Sequence, residues 1–574
     1  MNNPSTIELG AARPVSRRLA GGLIATSALL VGLDAQAAGF ATARFGGELG
    51  NAMTNSPTAI YYNPAGIALS EGLNVFVDGT TALRSLSFDR RPNANAPGEV
   101  PEPADASGAN SGKSSLFNVV AAPMLGATFQ NKVSESIGLA GGLAMFVPFG
   151  GSAVWDKNDA FANNAKYPGP ADGTQRYHTI HGSIRSLYIS AAAAINYKNY
   201  VSFGLSGGVS QNSIDSVRAR DVAVDTNLDN EGRAWLKAKN TTAQLGAGVM
   251  ITPFGDKDRL RIGLSYQASP GFGPMALKGL LQKYFAGTLS GERAGTDDVE
   301  LHQTLPDIYR IGMSYRPRRD LELRGQFDYT RWSLFQDQCI TNAGESCEIS
   351  HGDDGLKDGQ PKPGSENVSV NLPRRFSNSV SARVGASYWP TNENLELYLG
   401  VGIDQHAIPN ETVEPSMVDF DSLSTAVGAR ARFTKHLQGS LTYTQFFYAS
   451  RDTTGLSNLA NYAAPSNSPD SGGIYKQSIG VIDVNFQASF DPCGQQVEQS
   501  ERLAEKSAVD APVTPAPVVA PVVAPVVAPV VAPVVAPVVV PEAPAPVAAP
   551  VVVPEAPAAA PVVAPVVAPV APAH

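Results

Sequence analysis

Several short stretches of this chain place an apolar side chain at every second position and a polar or charged one between. In residues 321–330, Leu321, Leu323, Gly325, Phe327 and Tyr329 share one face, and Glu322, Arg324, Gln326, Asp328 and Thr330 share the other. Leu395, Leu397, Leu399, Val401 and Ile403 alternate with Glu396, Tyr398, Gly400, Gly402 and Asp404, and Leu260, Ile262, Leu264 and Tyr266 alternate with Arg259, Arg261, Gly263, Ser265 and Gln267. Period two is the signature of a β-strand, and these lengths match the ~9–11 residues with which a tilted strand crosses a bilayer. Beyond the first 37 residues, nothing approaches ~18 uninterrupted apolar residues, so membrane helices are excluded there. A chain of this kind that spans a membrane has to do so as a closed barrel.

Strands are expected near 73–88, 116–130, 136–149, 184–195, 201–216, 241–252, 259–269, 305–315, 321–335, 375–389, 395–404, 421–433, 437–448 and 477–490. That is an all-β, 14-stranded antiparallel transmembrane β-barrel over residues 73–490. Short turns at 131–135, 196–200, 253–259, 316–320, 390–394 and 434–437 alternate with long loops, as in outer-membrane barrels, whose turns face the periplasm. A soluble sandwich does not account for that asymmetry. The last strand, with Phe486 and Phe490 on its apolar face, resembles the signal read by the bacterial barrel-assembly machinery, although Phe490 is not the chain end.

The two ends of the chain read differently. Arg13, Arg17 and Arg18 precede the apolar residues 19–33, and Ala35-Gln-Ala37 supplies small residues for cleavage, so 1–37 reads as a signal peptide. After a charged linker (491–510), residues 511–574 repeat Pro-Val-Val-Ala with period four. Regular Pro blocks helix and sheet, so this tail is expected to be an extended periplasmic arm of up to about 200 Å. It either contacts peptidoglycan or a periplasmic carrier, or is passive low complexity. The formal net charge of −9 leaves a mildly acidic core and no nucleic-acid partner. Cys339 and Cys347 lie close together in a Gly/Asn/Glu/Ser segment, which suits a disulfide in an oxidising compartment better than a metal site. Cys493 is left over.

No metal, cofactor or catalytic constellation is expected. Residues 108–114 miss the phosphate-loop spacing and do not follow a strand. His178 and His181 lack the Glu and the helix of a zinc protease and read as a solvated loop. Residues 225–229 lack the glycine of a calcium loop, and Asp353, Asp354 and Asp358 form an acidic loop that needs no ion. An outer-membrane phospholipase would need a Ser with an oriented His, but His406 and His436 fall in a loop and a turn. Arg185, Arg261, Arg310 and Arg324 fall on expected lumen faces, where wall ion pairs are the commoner role of arginine.

Residues 38–72 find no place among the strands. They contain Phe40, residues 45–51 and the run Ala59-Ile-Tyr-Tyr-Asn63-Pro64-Ala65-Gly66-Ile67. This segment resembles the N-terminal hatch of the FadL/TodX (OMPP1) family of outer-membrane channels for long-chain fatty acids and other hydrophobic compounds. Val147-Pro-Phe-Gly150, residues 305–315, Tyr329-Thr-Arg-Trp-Ser333, Gly402-Ile-Asp404 with Ile408-Pro409, and the 419–421 stretch agree with the same family. The resemblance implies a monomeric barrel plugged by its hatch. Outer loops amid lipopolysaccharide capture a hydrophobic small molecule, an apolar pocket holds it, and it leaves sideways near the third strand. Gly138, Gly141, Gly142 and Pro148 of that strand either weaken pairing there or are ordinary barrel glycines. The turn at Asn63-Pro64-Ala65-Gly66 either holds the plug or touches substrate. Alternative readings are a monoaromatic hydrocarbon channel and a structural or adhesive barrel.

Overall fold

The computed structural model describes residues 41–42, 44–220, 223–284, 293–352, 358–390 and 394–490. The expected signal peptide, Phe40, Asp353, Asp354, Cys493, the charged linker and the Pro-rich tail lie outside them.

Fourteen strands close into a ring: β1 (Gly72–Arg90), β2 (Gly112–Ser134), β3 (Ile137–Val154), β4 (His181–Tyr197), β5 (Val201–Arg220), β6 (Gly232–Ile251), β7 (Leu260–Gln267), β8 (Ile308–Arg318), β9 (Leu321–Thr330), β10 (Ser379–Tyr388), β11 (Leu395–Asp404), β12 (Ser422–Arg432), β13 (Leu437–Tyr448) and β14 (Gly473–Phe490). Each pairs antiparallel with its neighbours in chain order. β14 then returns to β1, from Leu73↔Phe490 to Arg90↔Gly473, so the ring closes on itself. One end of the barrel carries short turns and the other carries long connections.

The alternation seen in the sequence sorts side chains across the wall. Leu399, Ile403, Val427, Leu441 and Phe486 are exposed outward, while Glu322, Arg324, Gln326, Glu396, Thr442 and Asp483 are buried inside. An outer face so apolar is stable against hydrocarbon and not against water. Arg185 departs from expectation: it is exposed, because Ser186, Tyr188 and Ser190 take the inward parity of β4.

The connections 270–304 and 336–374, expected as loops, contain four further strands. Met275–Tyr284 continues the ladder of the loop end of β6, and Arg293–Gln303, Asp337–Asn342 and Val368–Pro373 follow it outward. Two of these strands have only six residues, too few to show a period. Cys339, on one of them, forms a disulfide with Cys347.

Candidate functional site

Residues 44–71 lie inside the ring and are tied to it around the circumference. Arg44 pairs with Asp404 of β11 (3.0 Å), the Gly46 N–H donates to Asp78 of β1 (2.9 Å), and the Ala52 N–H donates to Gln326 Oε1 of β9 (2.7 Å). Ser265 Oγ of β7 donates to the Tyr62 carbonyl (2.6 Å). Phe45, Ile60, Tyr61 and Tyr62 are buried against Phe76, Met124, Phe146 and Tyr188 of the wall. Arg310 stacks over the Tyr61 ring at 4.6 Å.

At Asn63-Pro64-Ala65-Gly66 the chain turns. Asn63 Oδ1 accepts from the Ala65 N–H (3.2 Å), and its Nδ2 donates to the Ala52 carbonyl (2.9 Å) and to the Val249 carbonyl of β6 (3.0 Å). Pro64 opens the short helix Pro64–Leu69, where its missing N–H costs nothing. Opposite this turn the wall is bare. A Cβ at Gly204, Gly248, Gly263 or Gly312, on β5 to β8, would overlap Ala65 and Pro64, Asn63, Ala52, or Met53 respectively. Gly385 and Gly400, paired across β10 and β11, leave room in the same way for the Glu48 carboxylate. The wall is therefore cut to the shape of the segment it encloses.

Above this segment, toward the loop end, lies a cavity of about 230 Å³. Trp332, Phe376, Met417, Val418, Phe420 and Phe446 line it, and Arg44 with Asp404 borders it. Arg44 also lies over the Phe446 ring at 4.6 Å. Arg44 and Asp404 neutralise one another at its border, and Asp419, Gln405 and Gln477 add polar groups to sides that are otherwise largely apolar.

The wall beside the cavity is broken. β2 and β3 pair from Ser134↔Ile137 only as far as Met124↔Phe146. Beyond that point β2 continues to Gly112 paired with β1, and β3 continues to Val154 paired with β4. The two approach again where Asn118 bonds both the N–H and the carbonyl of Val154 (3.2 and 3.4 Å). β3 diverges at a bulge between Phe146 and Phe149, where it carries one residue more than β4. Pro148 sits in this bulge. Gly138, Gly141 and Gly142 do not; all three are paired on both sides, and Gly142 instead makes room for Ile60. On the edge of β3 that β2 has left, Ala41–Thr42 pair with Gly150 and Phe149.

A cap of outer loops covers the cavity. His178, expected in a solvated loop, is buried and shares Glu414 with Arg374 (3.1 and 2.7 Å), which joins the β3–β4 connection to the β11–β12 connection. Burial alone would raise the Glu414 carboxyl, but Arg374 and His178 more than offset it and hold it well below the usual carboxylate range. Asp358 pairs with Arg375 (3.0 Å) rather than standing free. Arg261 and Arg324 hold Glu322 (3.3 Å each), as wall ion pairs. At the turn end, Phe490 closes β14 stacked on His436, and Phe486 is exposed outward. No group of metal-ligating side chains is present among the described residues.

Residues 24–461 match the family model described as outer membrane protein transport protein (OMPP1/FadL/TodX). Among solved structures, a Pseudomonas aeruginosa FadL homologue is similar at 18% identity and TM-score 0.60, over 79% of this chain and 100% of that one. The P. putida toluene transporter TodX is similar at 14% identity and TM-score 0.51, over 80% and 99%. No curated relative matches the chain. The family consists of transport channels, and the outward apolar belt fits an outer-membrane location. With the family model spanning most of the ring as well as the segment enclosed in it, the chain belongs to the OMPP1/FadL/TodX family of outer-membrane transporters for hydrophobic compounds.

Proposed function

We propose that the protein admits long-chain fatty acids or similar hydrophobic small molecules passively, without cofactor or chemistry. The outer loops capture the molecule, the cavity holds it, residues 38–72 act as the hatch, and release is lateral between β2 and β3. The wall break carries this reading, because Val120 and Ala122 of β2 and Val147 and Gly150 of β3, on its two sides, all line the cavity. A fatty acid or arene leaving that way keeps its apolar surface out of water, at ~25 cal/mol per Å². Gly138, Gly141 and Gly142 are then paired positions of β3 away from the opening, with Gly142 making room for Ile60, and Pro148 belongs to the opening itself.

A monoaromatic hydrocarbon is the second reading. The cavity of about 230 Å³ is larger than the ~150 Å³ apolar cavities that accept benzene. Uptake of labelled oleate and labelled toluene by cells lacking their own hydrophobic-compound channel separates the two readings, with a version lacking residues 38–66 as control. Oleate uptake above the empty vector supports the fatty-acid reading, and toluene alone moves the protein to the hydrocarbon branch. Uptake of neither, despite a folded barrel, abandons transport and leaves a structural or adhesive barrel.

Export under residues 1–37, assembly through Phe486 and Phe490, a monomeric state amid lipopolysaccharide and a periplasmic arm at 511–574 complete the proposal. A truncation at Pro492 that leaves transport and cell-wall association unchanged removes any role for the arm.

A further inference from the structure

Beneath the enclosed segment, at the turn end, lies a second cavity, of about 560 Å³. Its roof is the polar underside of that segment, including Asn51, Thr54 and Ser56, and its rim is formed by the β6–β7, β8–β9 and β10–β11 turns and the ends of β12 and β14. Among the described residues that line it, six are Lys or Arg and four are Asp or Glu. Arg261 and Arg324 hold Glu322 (3.3 Å each), Arg430 holds Glu396, and Arg316 lies over the Trp389 ring at 4.2 Å. The other two cations lack a carboxylate at ion-pair distance among the described residues. Lys257 Nζ donates to the Leu69 carbonyl (2.9 Å), and Arg432 is exposed at the end of β12. Of the remaining acids, Glu71 is held by Lys132 (2.6 Å), and Asp258 is exposed on the β6–β7 turn.

Ser489 of β14 lines the same cavity, and the strand ends one residue later, at Phe490. The sequence that follows is acidic: residues 491–505 carry Asp491, Glu498, Glu501 and Glu505 against Arg502 alone. Fourteen strands ~4.8 Å apart and tilted ~40° make a ring roughly 28 Å across. A stretch of 15 residues spans up to about 50 Å. It is therefore long enough to run from β14 to Arg432, two strands along the ring, and on to Lys257 on the opposite side. Ion pairs at a solvated rim are individually weak. A segment tethered at Phe490, however, is held at a local concentration of about millimolar, an advantage that a free acidic peptide lacks.

We propose that the turn-end cavity is the docking site of the acidic stretch 491–505, which lies across the mouth with its carboxylates on Lys257 and Arg432. Docked there, it closes the polar space beneath the enclosed segment to solutes from the turn side. The docking does not depend on which molecule the barrel transports.

The test is a spin–spin distance measurement on the full-length protein in lipid nanodiscs. One label is placed at Ser500→Cys and the other at Asn394→Cys on the cavity wall, with Cys493→Ser to leave no other thiol beside the Cys339–Cys347 disulfide. At about 20 mM salt, where charges act over about 20 Å, a narrow distribution shorter than the roughly 28 Å width of the ring is expected; at about 500 mM, where they act over about 4 Å, a broad one. Lys257→Glu with Arg432→Glu should give the broad distribution already at low salt, and adding Glu498→Lys and Glu501→Lys should restore the narrow one. A broad distribution at both salt concentrations without the charge reversals leaves the mouth open to another occupant and overturns the docking; that comparison needs no charge variant to fold. A narrow distribution that survives high salt or the double reversal means that something other than these charges holds the stretch, and overturns it as well.

Discussion

Gly204→Ala adds one methyl group where the barrel wall meets the turn at Asn63-Pro64-Ala65-Gly66. The new Cβ would fall within 3 Å of three backbone atoms, Ala65 N, Pro64 C and Pro64 O, the last at 2.6 Å. Backbone has no rotamer to yield, so the turn must retreat by about 1 Å to restore ordinary contact at ~3.5–4.0 Å. That retreat breaks the Asn63 bond to the Val249 carbonyl and loosens the packing of Ala65 and Leu69 on Met250. Overpacking at ~1–3 kcal/mol and a lost hydrogen bond at ~1 kcal/mol together give about 2–4 kcal/mol. The wall itself is spared, because β5 keeps its ladders to β4 and β6. The assay is hydrogen–deuterium exchange in nanodiscs, followed at the amides of Tyr62, Asn63 and Gly66, which bond within the segment. Their exchange should speed up about 30- to 1000-fold, at one decade per ~1.4 kcal/mol. Gly248→Ala, which meets chiefly the Asn63 side chain, should do less, and Gly325→Ala, with nothing within 4 Å, should do nothing. Wild-type exchange at these amides in a folded Gly204→Ala barrel would refute the claim that the wall glycines position the segment.

Deleting Pro148 removes the extra residue of β3 and brings Val147 opposite Leu187 while Phe149 stays opposite Ser186. Uptake should fall about tenfold or more as the bulge closes, with binding in the cavity retained; unchanged uptake of labelled substrate would place the exit elsewhere. Glu414, held below the usual carboxylate range by Arg374 and His178, predicts an acid-sensitive cap. Because the folded state binds this proton more weakly than the unfolded chain, the contribution is complete above ~pH 4.3 and is lost as pH falls through the lowered value. Limited proteolysis of the 155–180 and 405–421 connections should therefore be slow at pH 7 and accelerate only in strong acid. Glu414→Gln should show fast cleavage already at pH 7, and a slow, wild-type profile in that variant would sink the assignment.

The ring was legible because each wall strand faces two solvents, and the alternation of Leu395 to Asp404 records that contrast at every residue. Asn63 and Pro64 were legible as a local turn. What the turn rests on was not, because Gly204, Gly248, Gly263 and Gly312 are distant in sequence and only the pairing of β5 to β8 brings them together. Parity offered the missing signal: Asp78, Thr80, Ala82 and Arg84 share the lumen face of β1. The wall break left little trace, since it depends on one residue more in β3 than in β4, and the glycines that drew attention are paired on both sides. His178 misled because its partner, Glu414, comes from a different loop.

The same contacts decide how much of the enclosed segment moves during transport. Withdrawing all of residues 44–71 would break ties to β1, β6, β7, β9 and β11 and leave the space at six wall glycines empty. At ~1 kcal/mol per hydrogen bond, and more for each void, that exceeds what one small ligand supplies on binding. Releasing Ala41–Thr42 from β3 breaks only a two-residue ladder, and that ladder lies on the edge of the break itself. The gate is therefore expected to be these first residues, with the body of the segment held still. Two cysteine pairs test this. Thr42→Cys with Phe149→Cys links Cα partners of the ladder, and Met53→Cys with Gly312→Cys links the body to the wall where Met53 already fills the glycine. Oxidation of the first pair should stop uptake reversibly, and oxidation of the second should leave it near wild type. Full uptake with the first pair locked, or arrest with only the second locked, would mean that the whole segment swings.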